Sequence, residues 1–557
     1  MDIIKTLAQE LKLKPDQVEK TVSLIDEGNT IPFIARYRKE VTGSLDDTTL
    51  RTLFDRLTYL RNMDKRREEI AALIEAQEKL TPEISLALSN ATTLVELEDI
   101  YRPFRPKRTT RASIARGKGL APLAELILEQ RDVYDPAIEV AAESYIDEEK
   151  GVASAEEALA GAADIIAEDI ANDAEHRKAL RALIMREGVL TAKQAKEEES
   201  VYSDYYDFSE PIPRLKGHRI LALHRGETEE FLKVAVEMDE DKAKAALGAR
   251  VITNKKSPVT ERLVAIVADA YDRLLFPSLE REIRNDLFDN ACEGALVVFS
   301  DNLRHLLMVA PIKGKTVLGY DPGFRTGCKL AVVDKTGKVL DTAVIYPTLP
   351  RQDIERSRKT VLALIDKYKV DVIAIGNGTA SRESEAFIAD TLKYVTDRDV
   401  RYTIVSEAGA SVYSASKLGA EEFPDFDVTE RSAVSIARRL QDPLAELVKI
   451  EPRAIGVGQY QHDMKQARLT EALGGVVEDC VNSVGVDVNT ASYSLLSYIA
   501  GINATAAKNI VAYREANGEF KTRAAILKVP KIGAKAYEQC AGFLRIPGGN
   551  EILDNTG

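Results

Sequence analysis

Val317-Leu318-Gly319-Tyr320-Asp321-Pro322-Gly323 is an apolar run that ends on an acid and a proline-glycine turn. The segments downstream of it decide the fold. Cys328-Lys329-Leu330-Ala331-Val332-Val333 reads as a second strand, Asp334-Lys335-Thr336-Gly337 as a turn, and residues 339–346 as a third strand. Strands joined by such short turns predict an antiparallel meander, because a parallel neighbour needs a crossover of about a dozen residues or more. Residues 354–368 then place Val361, Leu362 and Ile365 at helical spacing. Residues 370–375 form a buried strand that ends in Gly376-Asn377-Gly378-Thr379, and another helix, a strand at 402–406 and further helices complete the unit.

Three strands, then helix, strand, helix, strand, helix is the order of an RNase H-like α/β fold. It ranks above a Rossmann arrangement because the first three strands have no crossover helix. Catalysis on that fold needs three or four carboxylates at the strand ends, holding two Mg²⁺ ions that activate water and stabilise the leaving oxygen. Asp321 stands at the end of the first strand, Glu407 comes after the strand at 403–405, and Asp442 lies in a predicted helix at 438–448 where it is expected to point back at the sheet. The position after the strand at 370–375 holds Asn377 between two glycines, with no acid. A neutral amide offers an ion a carbonyl but no charge. Two readings stand: a Mg²⁺-dependent nuclease, with Mg²⁺ its only implied cofactor, and a binding domain that kept a few polar residues, which the incomplete acid set favours.

Upstream, the first 190 residues read as helix. Pro15 opens one helix with Val18, Val22 and Ile25 on a face, and Gly28 closes it. Thr30 is placed to cap a short second helix with Pro32 in its first turn, and Ser44 with Asp47 resembles a capping box before a long helix reaching about residue 77. Short helices at tight turns near 15–40 suggest a helix-turn-helix, beside the plainer reading of a bundle. Between 100 and 120 the texture becomes basic and irregular: Arg102, Arg105, Lys107, Arg108, Arg111, Arg116 and Lys118 occur with no acid, interleaved with Tyr101 and Phe104. Such a loop suits a phosphate backbone, and equally suits pairing with neighbouring acidic helices. Residues 130–200 are Ala/Glu-rich helix, 219–224 and 230–237 read as a strand hairpin, and 239–290 return to helix.

The last 70 residues hold two similar turns, Gly501-Ile502-Asn503 and Lys531-Ile532-Gly533, each between apolar helices. A helix-hairpin-helix presents backbone N–H groups at such a turn and cradles phosphate without reading bases. The turn needs residues tolerant of unusual backbone angles; Asn503 is read here as taking the left-handed role of a glycine, and Lys531 and Lys535 add cations beside the phosphate.

The 557 residues are 45% hydrophobic and 30% charged, which fits several soluble globular domains. Four scattered cysteines without C-x-x-C, and five histidines without H-E-x-x-H, argue against a zinc ribbon, a disulfide scaffold or a metalloprotease. No apolar run spans a bilayer, the N-terminus does not read as a signal peptide, and a reducing cytoplasm fits. The net charge of -13 argues against a nucleic-acid binder until it is divided. Residues 131–310 hold 23 cations and 37 anions, a net of -14; residues 1–130 hold 21 of each; residues 311–484 hold 24 and 25; residues 485–557 hold 8 and 6, a net of +2. The acidity belongs to the centre.

Several stretches together resemble the Tex family of bacterial transcription accessory proteins: Gly28-Asn29-Thr30-Ile31-Pro32-Phe33-Ile34-Ala35-Arg36-Tyr37-Arg38, Glu98-Asp99-Ile100-Tyr101-Arg102-Pro103-Phe104, Gly376-Asn377-Gly378-Thr379-Ala380-Ser381-Arg382-Glu383 and Gly456-Val457-Gly458-Gln459-Tyr460-Gln461-His462-Asp463. The resemblance runs nearly end to end. It implies a multidomain, mostly α chain: an N-terminal helical region with a helix-turn-helix (1–190), a central helical region with a small β-hairpin (191–310), a YqgF domain of RNase H-like fold (311–450), a connecting helical segment (451–484) and tandem helix-hairpin-helix motifs (485–557). It implies binding of RNA or DNA with little sequence preference, a role in transcription, and a YqgF domain without nuclease activity, to which Asn377 conforms. Asp321, Glu407 and Asp442 match RuvC-type acids by position only. Family members continue into an OB-fold RNA-binding domain beyond the hairpins, so this chain is expected to be a shortened form. The reading is of a monomer, with RNA polymerase or the ribosome as protein partner. A protein scaffold whose acidic centre meets a basic partner remains a third hypothesis.

Overall fold

The computed structural model describes residues 2–106 and 109–556 and divides into two units. One is Met1–Gln9 with Asp55–Ala295; the other is Glu10–Phe54 with Leu296–Gly557. The architecture is mostly helical, with a five-stranded mixed sheet in the second unit.

In the first unit, helix Ala155–Asn172 buries Ala158, Ala162, Ile165, Ile166 and Ile170. Small residues there let neighbours close in: a Cβ on Gly161 would collide with the Leu120 side chain. Strands Val189–Gln194, Asp207–Pro211 and Leu232–Glu237 form an antiparallel sheet with the first in the middle. This corrects the expected hairpin. Leu232–Glu237 is a strand, but residues 219–224 lie in helix Gly217–Thr228, and the strand's partner is Val189–Gln194. An apolar run as short as Ile220-Leu221-Ala222-Leu223 has no readable period, and burial of Gly226 one turn on from Leu223 completes a helical face.

A buried ion cluster also holds this unit. Arg177, 1% exposed, donates to Asp99 at 2.7 Å and to Glu282 at 2.8 Å. Arg181 donates to the other oxygen of Asp99 at 2.5 Å and pairs with Glu282 as well. Two guanidinium forks and two carboxylates thus close a square, which is the arrangement that makes burial of charge tolerable.

In the second unit, strands Val317–Asp321, Cys328–Val333 and Val339–Ile345 pair antiparallel, and Val372–Gly376 and Arg401–Val405 add parallel on the far side of the first. Numbered within the sheet, the order is 3-2-1-4-5, as the RNase H-like reading requires. Both faces of the three inner strands are covered, so these strands are almost wholly apolar. The edge strands Val339–Ile345 and Arg401–Val405 carry Asp341, Thr342, Arg401 and Thr403 and are partly exposed. Leu318, Tyr320 and Leu330 meet Val361, Ile365 and Ile388 on one face. Val317, Ala331 and Ala374 meet Ala433, Val434 and Ala437 on the other. Helix Val428–Gln441 rides so low that a Cβ on Gly319 would strike the Ala433 carbonyl.

Residues 10–54 group with the C-terminal half of the chain, which cuts across the expected run of consecutive segments. Helices Pro15–Asp26 and Ile31–Tyr37, separated by Gly28 at φ +79°, are where the pattern placed them. Ile31, Ile34, Leu45 and Leu50 form a small core. The cap of the long helix Asp47–Glu75 is Asp46, not Ser44: its carboxylate accepts from the Thr49 N–H at 2.7 Å. Tyr37 stacks edge-on against Phe543 at 5.3 Å, and Arg36 lies over the same ring. Arg51 binds Asp479 and Glu478. The second helix of the expected helix-turn-helix therefore faces the C-terminal hairpins.

Candidate nucleic-acid interface

The two hairpin turns share one backbone. The first residue of each is left-handed, Gly501 at φ +76° and Lys531 at φ +72°. The second is an isoleucine plugged into the core, Ile502 at 5% exposure and Ile532 at 6%. The third is the N-cap of a helix, Asn503 at φ -86° before Ala504–Asn517 and Gly533 at φ -90° before Ala534–Cys540. This corrects the role expected of Asn503: it is extended, and its side chain accepts from the Ala506 N–H at 2.9 Å as a cap. The left-handed strain sits on Lys531 instead. Glycine is required at 501, where a Cβ would lie 2.8 Å from the Gln539 side chain and 3.0 Å from the Ala536 carbonyl.

Lys535 is engaged within the unit. Its ammonium donates to the Glu27 carbonyl at the C-terminal end of helix Pro15–Asp26, where carbonyls carry partial negative charge. Gln539, missed by the sequence reading, is buried beside it, donating to the Gly28 carbonyl at 3.2 Å and accepting from the Thr30 N–H at 3.4 Å. Arg38 pairs with Glu538 at 2.5 Å. The second hairpin helix thus docks on the N-terminal helices, while Lys531, Gly533 and Ala534 at its turn stay exposed, as do Asn503, Ala504, Thr505 and Lys508 at the first.

At the carboxyl ends of the sheet strands, Asp321 and Glu407 come together and Asp442 does not. Burial pushes the Asp321 carboxyl up to about 6; the Glu407 charge adds to this, while the Ser432 hydroxyl and Lys329 oppose it. Asp442 caps a different helix, accepting from the Ala445 N–H at 3.0 Å. It stands ten residues beyond Ser432 on the same helical path, about 15 Å at 1.5 Å per residue. Its neighbour Gln441 reaches Lys315 and Asp334, at the opposite end of the sheet. The Asn377 side-chain oxygen accepts from the Glu407 N–H at 3.0 Å, so the amide serves the loop. Arg439 fixes that loop further, donating to the Ser406 and Ala408 carbonyls at 2.9 and 2.7 Å. Ser432, Lys329 and Arg439 escaped the sequence reading, although a lone lysine in the strand Cys328–Val333 was a visible signal. Two adjacent carboxylates, one neutral amide and an acid turned elsewhere do not fit the anionic cage that two Mg²⁺ ions need.

The basic segment is mostly structured and paired. Arg102 and Arg105 face Asp99 and Glu98, Arg116 binds Asp169 at 2.6 Å, and Lys118 donates to the Gly151 carbonyl. Residues Arg111–Gly117 form a helix rather than a loop, with Arg111 exposed at its first turn. Lys107 and Arg108 lie outside the described residues. Arg105 is therefore paired with Glu98.

Comparison with known proteins agrees with this layout. The Tex-like protein N-terminal domain matches residues 1–75, the Tex central region-like family 135–299, the Tex protein YqgF-like domain 315–441, and the helix-hairpin-helix motif 481–545. The uncharacterized protein YdcI of Bacillus subtilis is 50% identical, across 99% of this chain and 77% of its own length. Protein tex of Bordetella pertussis is 49% identical, across 99% of this chain and 71% of its own. The transcriptional accessory protein Tex of Neisseria gonorrhoeae is 46% identical, across 100% and 73%. With paired hairpins, an RNase H-like sheet and this similarity across its length, the chain belongs to the Tex family.

Proposed function

We propose that this chain binds the sugar-phosphate backbone of RNA or DNA through its paired hairpins, with little preference for base sequence, as an accessory protein of transcription. The observation that carries the reading is the repeated turn at 501–503 and 531–533: left-handed residue, buried isoleucine, N-cap. Each turn aims the unpaired first-turn N–H groups of a helix, with their partial positive charge, at solvent. Such a site accepts phosphate and ignores the base edges. Lys531 and Lys508 are exposed beside these turns and supply cations. The name of the Neisseria gonorrhoeae relative, a transcriptional accessory protein, supports the transcriptional setting. RNA polymerase or the ribosome is the protein partner proposed with this reading.

The sheet end acts in this reading as a structural or binding element without a cleavage step. Asn377 and the distant Asp442 support that assignment, because they leave two carboxylates where the reaction needs three or four.

The test is a fluorescence-anisotropy titration of labelled RNA and DNA oligonucleotides of unrelated sequence at several salt concentrations. The logarithm of affinity is expected to fall linearly with that of salt. Lys531→Glu and Thr505→Glu are expected to weaken every oligonucleotide alike. Tight binding indifferent to salt and to both changes would overturn the reading.

A further inference from the structure

The first unit contains a groove of about 620 Å³ between helices Pro82–Asn90 and Leu94–Tyr101 and the start of helix Ala174–Glu187. That is the size of pocket that takes several side chains of a bound ligand. Its floor is apolar: Ile84, Ala87, Ile100, Pro103 and Phe104 line it. Ala91, one turn on from Ala87 on the same face, continues the apolar floor. An apolar surface left open in this way marks an interaction site when polar residues rim it.

The rim is acidic. Glu83, Glu96, Asp173 and Glu175 surround the groove, and among the described residues Lys178 is the one cation lining it. Asp99, at the base, is already neutralised by Arg177 and Arg181. Lys178 is held by Glu96 at 2.8 Å, and the hydrogen bond from Thr81 holds the Glu83 carboxyl below its ordinary range, so Glu83 stays ionised. The four rim carboxylates against one ammonium leave a net of -3 around an apolar floor. Residues 131–310, which supply Asp173, Glu175 and Lys178, carry a net of -14. A nucleic acid is repelled here, and an acidic peptide is too.

We infer that this groove docks a short segment of a partner protein with apolar side chains at helical spacing and lysine or arginine flanking them. The apolar anchors fill the floor, as an amphipathic helix fills a groove, and the flanking cations meet Glu83, Glu175 and Asp173. The rim charges set selectivity and rate of encounter more than affinity. This surface is separate in residues and in sign of charge from the hairpin turns.

The experiment uses the whole chain and a fluorescein-labelled amphipathic peptide of leucine and lysine, with leucines at helical spacing, beside the same peptide with glutamate for lysine. Anisotropy is expected to rise with the lysine peptide alone. The paired change Glu83→Lys with Glu175→Lys, and separately Ala87→Arg on the exposed floor, are each expected to weaken binding about tenfold or more. Lys178→Ala, which releases Glu96, is expected to tighten it, an effect that a merely structural role would not produce. Circular dichroism checks that each variant is folded. The inference is overturned if neither peptide binds or if the variants bind as the parent does.

Discussion

Lys531 holds the backbone conformation of Gly501, φ +72° against +76°, although only glycine adopts it without strain. A lysine in that region costs about 1 kcal/mol. Lys531→Gly is therefore expected to leave the thermal midpoint unchanged or slightly raised, while nucleic-acid affinity falls through loss of the cation. Parallel thermal denaturation and anisotropy titrations check the two readouts. A variant that loses stability and binding together would mean that the lysine serves packing.

Gly542 is pressed against Tyr37, so that an added Cβ would overlap the phenol ring. Gly542→Ala is expected to destabilise the second unit by about 1–3 kcal/mol, the usual result of overfilling a packed contact. Limited proteolysis should show faster cutting near residues 28–44, because the helix Ile31–Tyr37 loses its seat on Phe543.

Asp321 gives a pH dependence of defined sign. Its folded-state carboxyl titrates near 6, above the ordinary 3.8. Between those values the folded state keeps a proton that the unfolded state has lost, so stability falls as pH rises through this window and stays lower above it. Asp321→Asn is expected to remove that slope and to raise stability at neutral pH by about 3 kcal/mol. Urea denaturation at pH 4, 5, 6 and 7 measures it. A parent protein equally stable across the range would contradict it.

The sheet end is expected to leave nucleic acid intact. Single-stranded, duplex and branched substrates incubated with Mg²⁺ or Mn²⁺ should run unchanged on a denaturing gel. Cleavage abolished by Asp321→Asn would restore the nuclease reading.

The square of Asp99, Arg177, Arg181 and Glu282 predicts strong coupling. Asp99→Ala leaves the buried Arg177 and the partly buried Arg181 with Glu282 as their one shared carboxylate in the square, and is expected to destabilise the first unit by about 3 kcal/mol. Asp99→Leu combined with Arg177→Met should recover part of that loss. A thermodynamic cycle of denaturation midpoints checks it.

The sheet was legible because strands covered on both faces leave short apolar runs, as in Val372–Gly376. The repeated turns were legible because a glycine-containing triplet centred on an isoleucine recurs about 30 residues on, each before an apolar helix. Asp442 was misplaced for a geometric reason: 438–448 was read as one helix, but helix Val428–Gln441 ends at Asp442, which caps the next helix, and Ser432 on the earlier helix is what reaches Asp321. Residues 219–224 failed because four apolar residues carry no period. Lys535 and Gln539 were read as solvent-facing or passed over because their partners, Glu27, Gly28 and Thr30, lie about 500 residues away in sequence.

That separation has a consequence for synthesis. The surface formed by Ile31–Tyr37 and the Gly28 turn leaves the ribosome early, but its counterpart around Gln539 and Phe543 is made about 500 residues later. At about 5–20 residues per second the wait is roughly 25–100 s. Throughout that interval Tyr37 lacks its native contact with Phe543, so the N-terminal helices are a segment of this chain that a holding chaperone on the nascent polypeptide would protect.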